Sequence, residues 1–169
     1  MTLTDSHCHL ASQKFTPGEL SGIITRARQR GVQRMVTLAT CLDDCPQNIS
    51  IAEQYPEVYA CIGIHPCDVH ETDDHYIHEL KIHASHPRCV AIGETGLDYY
   101  HPAPEGWTSD QYHSRQQEFL KQHFELAAEL GKNIVIHTRD RSGEASLHDA
   151  ISIYRQYAPQ VRAVFHCFP

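Results

Sequence analysis

The sequence contains no apolar run approaching the roughly 18 residues that a membrane-spanning helix needs. Its hydrophobic stretches, such as Asn133-Ile134-Val135-Ile136, are short and end at polar residues. It has no Cys-x-x-Cys pair, the spacing common to zinc ribbons and thioredoxin-like redox motifs. It has no excess of basic residues: 14 Lys and Arg stand against 21 Asp and Glu, a net charge of −7. That balance argues against a broad cationic surface that would hold duplex nucleic acid by releasing counterions. A phosphate-bearing substrate stays open, because bound divalent cations reverse a local field. The opening residues, Met1-Thr2-Leu3-Thr4-Asp5, offer neither the basic nor the apolar region of a secretory leader. The seven cysteines are odd in number, and Cys61 and Cys89 fall in strand-like runs. These features predict reduced, mostly buried thiols in a cytoplasmic protein without membrane contact.

What the sequence does have is histidine, 14 of them in 169 residues, and a regular alternation of strand-like and helix-like segments. Strands are expected over 3–9, 32–39, 58–64, 89–93, 133–137 and 161–167, and helices over 17–30, 46–54, 74–84, 110–130 and 144–156. The fourth helix is the clearest. Phe119, Leu120, His123, Phe124, Ala127 and Leu130 recur at three- and four-residue steps, Gly131 stands at the expected C′ position, and Thr108 with Gln111 fits a capping box. The segment 99–109, rich in Pro and Gly, reads as a loop. Such alternation predicts a single α/β domain over 1–169 with a parallel sheet, either doubly wound or closed into a barrel.

Polar residues collect where the expected strands end. The first strand finishes Asp5-Ser6-His7-Cys8-His9; alternation puts both imidazoles on one face, about 7 Å apart along the strand, where they can chelate one metal ion. Later strands end at His65, Glu94, His137 and His166, separated by 29, 43 and 29 residues. His9 and His65 are 56 apart, two units of 28. The period is that of one βα unit, and the longer interval carries the 99–109 loop. Ligand-type residues at the C-terminal ends of successive parallel strands mark the active face of a barrel enzyme. The nine remaining histidines fall mostly in helix-like or loop segments. His75 and His78, at an i, i+3 step, could bind a metal, but a solvated helix face is the favoured reading. Cys8 and Cys167 read as packing thiols that point away from the site. Trp107 fits equally a base-stacking residue and a pin for its loop.

The ordered set Asp-x-His-x-His-Leu, Gly-Ile-His-Pro, Gly-Glu-Thr-Gly-Leu-Asp-Tyr, Ile-His-Thr-Arg-Asp and Phe-His-Cys-Phe resembles the TatD family of metal-dependent deoxyribonucleases, within the amidohydrolase-like barrel superfamily. The resemblance implies a (β/α)₈ barrel with a two-metal centre of Zn, Mg or Mn. In it His7 and His9 would bind one ion, Glu94 would bridge, and His137 and His166 would bind the other. His65 and Arg139 would face the substrate phosphate, and Glu94, His65 and Arg139 would carry catalysis. Asp98 belongs to the same signature, without a role assigned from sequence. A surface pair with Asp140 is the other reading of Arg139.

A closed eight-stranded barrel takes about 250 residues, and here six strands are found before Pro169. The barrel is therefore expected to be incomplete. The aspartate that family members carry after strand eight, which completes the first metal site, lies outside the sequence, and little nuclease activity is expected of this chain alone. The substrate implied is DNA, at strand ends or in single strands. Two alternatives are carried alongside it. One is an amidohydrolase-type enzyme acting on a small-molecule C–N, ester or phosphoester bond, although Glu94 stands where such relatives use a carboxylated lysine. The other is a metal-binding protein without catalysis.

Overall fold

The computed structural model describes residues 2–166. Its six strands are β1 (Leu3–Cys8), β2 (Val32–Leu38), β3 (Val58–Ile62), β4 (Cys89–Tyr99), β5 (Asn133–Asp140) and β6 (Ala163–His166). Between them lie α1 (Pro17–Gln29), α2 (Cys45–Gln54), α3 (Tyr76–Ala84), α4 (Ser109–Leu130) and α5 (Ala145–Tyr157), with short 3₁₀ turns at Leu42–Asp44 and Pro66–Asp68. Every neighbouring pair is parallel, and the spatial order is the chain order, β1-β2-β3-β4-β5-β6. A doubly wound sheet reverses direction at a switch point; this one does not. It is a curled arc of a (β/α) barrel, six strands of the eight that close one.

The two faces of the arc differ in kind. Outward-facing residues such as Met35, Ile62, Ile92, Ile134 and Ile136 pack against the helices in one large core. The inner face holds a smaller cluster of Leu38, Cys61 and Ala91, with Val36 and Val135 against it. A groove of about 370 Å³ runs along this inner face, past His7, Val90, Val135, Val164 and His166.

Helix α4 buries several large side chains, among them Tyr112, Phe119, Leu120 and Phe124. Its limits follow from its ends. The Thr108 hydroxyl accepts the Gln111 N–H, Gln111 Oε1 accepts the Thr108 N–H, and Gly131 closes the helix in the left-handed conformation.

Strands β4 and β5 run further than the sequence pattern predicts, to Tyr99 and Asp140 rather than to 93 and 137. They stay paired through Thr95↔Ile136, Gly96↔His137, Asp98↔Arg139 and Tyr99↔Asp140. Apolar periodicity does not reveal the extension, because apart from Leu97 and Tyr99 the added residues are polar or glycine. Two of the glycines make it possible. A Cβ on Gly63 would lie 2.5 Å from Gly93 Cα, and one on Gly96 (φ +143°) would lie 2.0 Å from the His137 carbonyl oxygen. The backbones of β3, β4 and β5 thus converge at the level of Glu94.

Candidate metal centre

Glu94 is buried, 2% exposed, at the inner mouth of the arc. Its two oxygens divide the neighbouring histidines between them. Oε2 lies 3.2 Å from His7 Nε2 and 3.6 Å from His9 Nε2. Oε1 lies 3.2 Å from His137 Nδ1 and 3.3 Å from His166 Nε2. The His7 and His166 rings stack with centroids 3.6 Å apart, so the curl of the sheet brings the ends of its first and sixth strands together.

Hydrogen bonds fix what these rings offer. His9 Nδ1 sits 3.2 Å from the Leu38 carbonyl. A carbonyl only accepts, so the neutral ring carries its proton on Nδ1 and turns a bare Nε2 toward Glu94. Both ring nitrogens of His7 are buried without a hydrogen-bond partner. Buried polar atoms are rarely left so, and a bound cation would satisfy the nitrogen that carries the lone pair. His7, His9 and Glu94 present three donor atoms within 4.8 Å of one another, and so do His65, Glu94 and His137. Imidazole and carboxylate suit divalent zinc, manganese or iron, and the residues present fit such an ion.

Burial alone would raise the Glu94 carboxyl, but the hydrogen bond with His137 and the adjacent His7 ring outweigh it and hold the group well below the ordinary carboxylate range. For His137 burial acts downward, yet hydrogen bonds to Asp98 and Glu94 win and carry the imidazole up to about 9. Burial, then the neighbouring His137, push His65 down to about 4.

His65 lies at this centre, its ring 4.5 Å from that of His137. Its Nδ1 accepts the Cys67 N–H at 3.1 Å, so the neutral ring carries its proton on Nε2. Distance alone admits His65 as a metal donor; its tautomer makes it a hydrogen-bond donor instead.

Arg139 extends from the prolonged end of β5, and its guanidinium stacks over the Tyr100 ring, 4.1 Å from the centroid. The alternative pairing with Asp140 does not form. Asp140 accepts from Ser146, at 3.0 Å from its backbone nitrogen and 2.6 Å from its hydroxyl.

Asp98 is a residue of the site for which sequence reasoning found no role. It is fully buried, with Oδ2 3.0 Å from His137 Nε2 and Oδ1 accepting from the backbone nitrogens of Tyr100 and His101. The signal was its place four residues after Glu94, which keeps both carboxylates on one face only if the strand continues.

Two of the remaining histidines make specific contacts where the sequence places them: His123, on the apolar face of α4, is fully buried, and His101, in the loop after β4, meets Asp98. His75 and His78 are exposed, as expected. Cys8 donates to the Val36 carbonyl, and burial, with Asp5 adding, pushes its thiol up to about 12. Cys167 lies outside the described residues. Trp107 packs on the core edge-on to Tyr112, which pins its loop.

With this geometry in view, comparison with known proteins places the chain. Residues 4–169 match the model of the family described as TatD related DNase. The chain belongs to that family. It is 30% identical over 167 residues to YabD of Bacillus subtilis, named an uncharacterized metal-dependent hydrolase, covering 98% of this chain and 60% of that protein. It is 29% identical to a protein of Edwardsiella piscicida named 3'-5' ssDNA/RNA exonuclease TatD, covering 98% and 60%. Among solved structures, the TatD homologue YjjV of Escherichia coli superposes with a TM-score of 0.80 at 26% identity, covering 99% of this chain and 60% of that one. A phosphotriesterase homology protein of Escherichia coli shares the fold, with a TM-score of 0.57 at 13% identity and 96% and 61% coverage. The chain spans about 60% of the length of the curated relatives it matches. None of the helices among the described residues is long and apolar enough to cross a membrane.

Proposed function

We propose that this chain carries the metal-binding part of a hydrolase that cleaves phosphodiester bonds in DNA, at strand ends or in single strands, with a two-cation centre. One observation carries the reading: the two oxygens of the buried Glu94 face separate histidine pairs, His7 with His9 and His137 with His166. A carboxylate offers two oxygens and so can bridge, whereas a neutral imidazole offers one lone pair. The name of the Edwardsiella relative supports a nucleic-acid substrate.

In this reading His7, His9, Glu94, His137 and His166 hold the cations. When bound, a pair of divalent ions supplies an acidified water and charge stabilisation for both the attacking and the leaving oxygen. The protein's own residues do the rest. Neutral His65 offers an Nε2–H to a substrate oxygen. Arg139, held by Tyr100 at the mouth, meets the next phosphate; a guanidinium fork matches that group. Asp98 holds the His137 ring.

The test is hydrolysis of end-labelled single-stranded DNA by this chain with Mg²⁺, Mn²⁺ or Zn²⁺. Slow, metal-dependent shortening is expected, lost on chelation and in Glu94→Gln. Metal-loaded protein that leaves the strand intact but hydrolyses a small ester or amide would replace this reading with the small-molecule one.

A further inference from the structure

Behind Asp98, on the side away from His137, three more donor atoms converge. Cys67 Sγ lies 3.6 Å from His101 Nδ1, His101 Nδ1 lies 3.0 Å from Asp98 Oδ1, and each of the three residues offers an atom within 4.8 Å of the other two. Separate elements bring them together. Cys67 sits in the 3₁₀ turn after β3, and its backbone is held because the Tyr112 hydroxyl donates to the Pro66 and Cys67 carbonyls at 3.2 and 3.1 Å. His101 follows β4, its backbone fixed by the bond from its nitrogen to Asp98 Oδ1 at 2.9 Å. Asp98 itself is locked from both sides. Its N–H donates to Gln116 Oε1 at 2.8 Å, and Gln116 Nε2 donates to its carbonyl at 3.2 Å.

We propose that Cys67, Asp98 and His101 form a further cation site, distinct from the Glu94 centre and selective for zinc-like ions. A thiolate, an imidazole and a carboxylate are a borderline-soft donor set that favours Zn²⁺ or Cd²⁺ over Mg²⁺ and Ca²⁺. The His101 side chain is 47% exposed, so the site opens to solvent and leaves a fourth position for water. A structural Asp–His pair would need no thiol beside it. Binding is balanced by one proton: the Cys67 thiol releases its hydrogen to solvent as the metal–sulfur bond forms. His101 exchanges its Nδ1–H for the Nε2–H tautomer without net change. Asp98 is shared in a particular way, with Oδ1 toward this cluster and Oδ2 toward His137, so an ion here sits behind the ring that faces Glu94.

The site stands independently of the hydrolase reading, and its test is spectroscopic. Titration of the whole chain with Cd²⁺ should develop a sulfur-to-metal charge-transfer band that saturates at one equivalent. The donors around Glu94 include no sulfur, so Glu94→Gln should keep the band. Cys67→Ser should abolish it, and His101→Gln should weaken Cd²⁺ binding at least ~10-fold, since losing a direct ligand costs no less than losing a supporting residue. Should Cys67→Ser not fold, the wild-type chain still decides: Zn²⁺ should slow alkylation of Cys67, read by peptide mass mapping, about tenfold or more. Absence of the band, its survival in a folded Cys67→Ser, or alkylation of Cys67 indifferent to Zn²⁺ would overturn the proposal.

Discussion

His123 of α4 accepts the backbone N–H of Ile64 through Nε2 at 3.0 Å, while its Nδ1 donates to the Phe119 carbonyl at 2.7 Å. One buried imidazole therefore ties the longest helix to the chain just after β3, next to His65. Burial pushes it down to about 4, from an ordinary value of 6.5. The folded value lies below the unfolded one, so the contribution to stability is complete above pH 6.5 and is lost as pH falls toward 4. Between pH 7 and pH 5 this group should remove about 2 kcal/mol, measured by urea denaturation. His123→Leu should cost about 1–3 kcal/mol at pH 7, because the Ile64 N–H is left unsatisfied, and should lose that part of the acid sensitivity. Equal pH slopes in both proteins would contradict the account.

Gly96 and Gly131 offer a controlled comparison. Both have positive φ, +143° and +63°, but a Cβ at Gly96 meets the His137 carbonyl at 2.0 Å while one at Gly131 meets nothing within 4 Å. Gly131→Ala should cost only the left-handed strain, about 1 kcal/mol. Gly96→Ala should cost about 3 kcal/mol or more, because β4 must also move away from β5. Thermal melts in the presence of chelator separate this backbone effect from metal loss. Equal melting temperatures for the two variants would mean that β4 can shift freely.

The strand-terminal polar residues and the barrel period were legible in the sequence because each βα unit repeats an apolar run ending in a polar residue. The spacing of His65, Glu94, His137 and His166 left the choice between a doubly wound sheet and a barrel open; strand order settled it. Asp98 stayed without a role because the pattern ended β4 at residue 93, before the glycine-enabled extension. The partners of His123 and His101 were not legible, for different reasons. His123 is polar at a core position of an amphipathic helix, where helical spacing cannot show that a buried N–H needs an acceptor. His101 lies in a loop, and no periodicity predicts that the chain turns back onto Asp98.

All seven cysteines should titrate as free thiols in denatured, non-reduced protein. The six that the structure describes, Cys8, Cys41, Cys45, Cys61, Cys67 and Cys89, are all unpaired. Burial raises each of these thiols, which leaves them slow to oxidise. A count of five from fresh protein would show a disulfide and argue for an oxidising compartment.

Replacing Glu94 should empty the centre more completely than replacing any one histidine. Glu94→Ala removes the oxygen facing His7 and His9 together with the one facing His137 and His166. His9→Ala takes away a single nitrogen. Elemental analysis after dialysis against Mn²⁺ should find the least metal in Glu94→Ala. Equal retention by this variant and His9→Ala would mean that Glu94 is not a bridge.

Asp98→Asn tests whether the carboxylate behind His137 tunes the centre. Oδ2 stands 3.0 Å from His137 Nε2 while His137 Nδ1 faces Glu94 at 3.2 Å. A carboxylate at Nε2 keeps a proton there and leaves the Nδ1 lone pair for a cation, the arrangement that fixes ring orientation and raises ligand basicity in metal sites. Asparagine matches the shape, and its carbonyl oxygen can still accept from Nε2–H, but the negative charge is gone. Affinity for Mn²⁺, read by electron paramagnetic resonance of the free ion, should fall about 10–100-fold. Mn²⁺ is the right probe because a thiolate site disfavours it, so Cys67 does not confuse the reading. Asp98→Ala should add a loss of stability in chelator of about 1–3 kcal/mol, since the backbone N–H groups of Tyr100 and His101 lose their acceptor. If Asp98→Asn binds Mn²⁺ as tightly as the wild type while Asp98→Ala merely unfolds more easily, Asp98 supports the loop after β4 and does not tune His137.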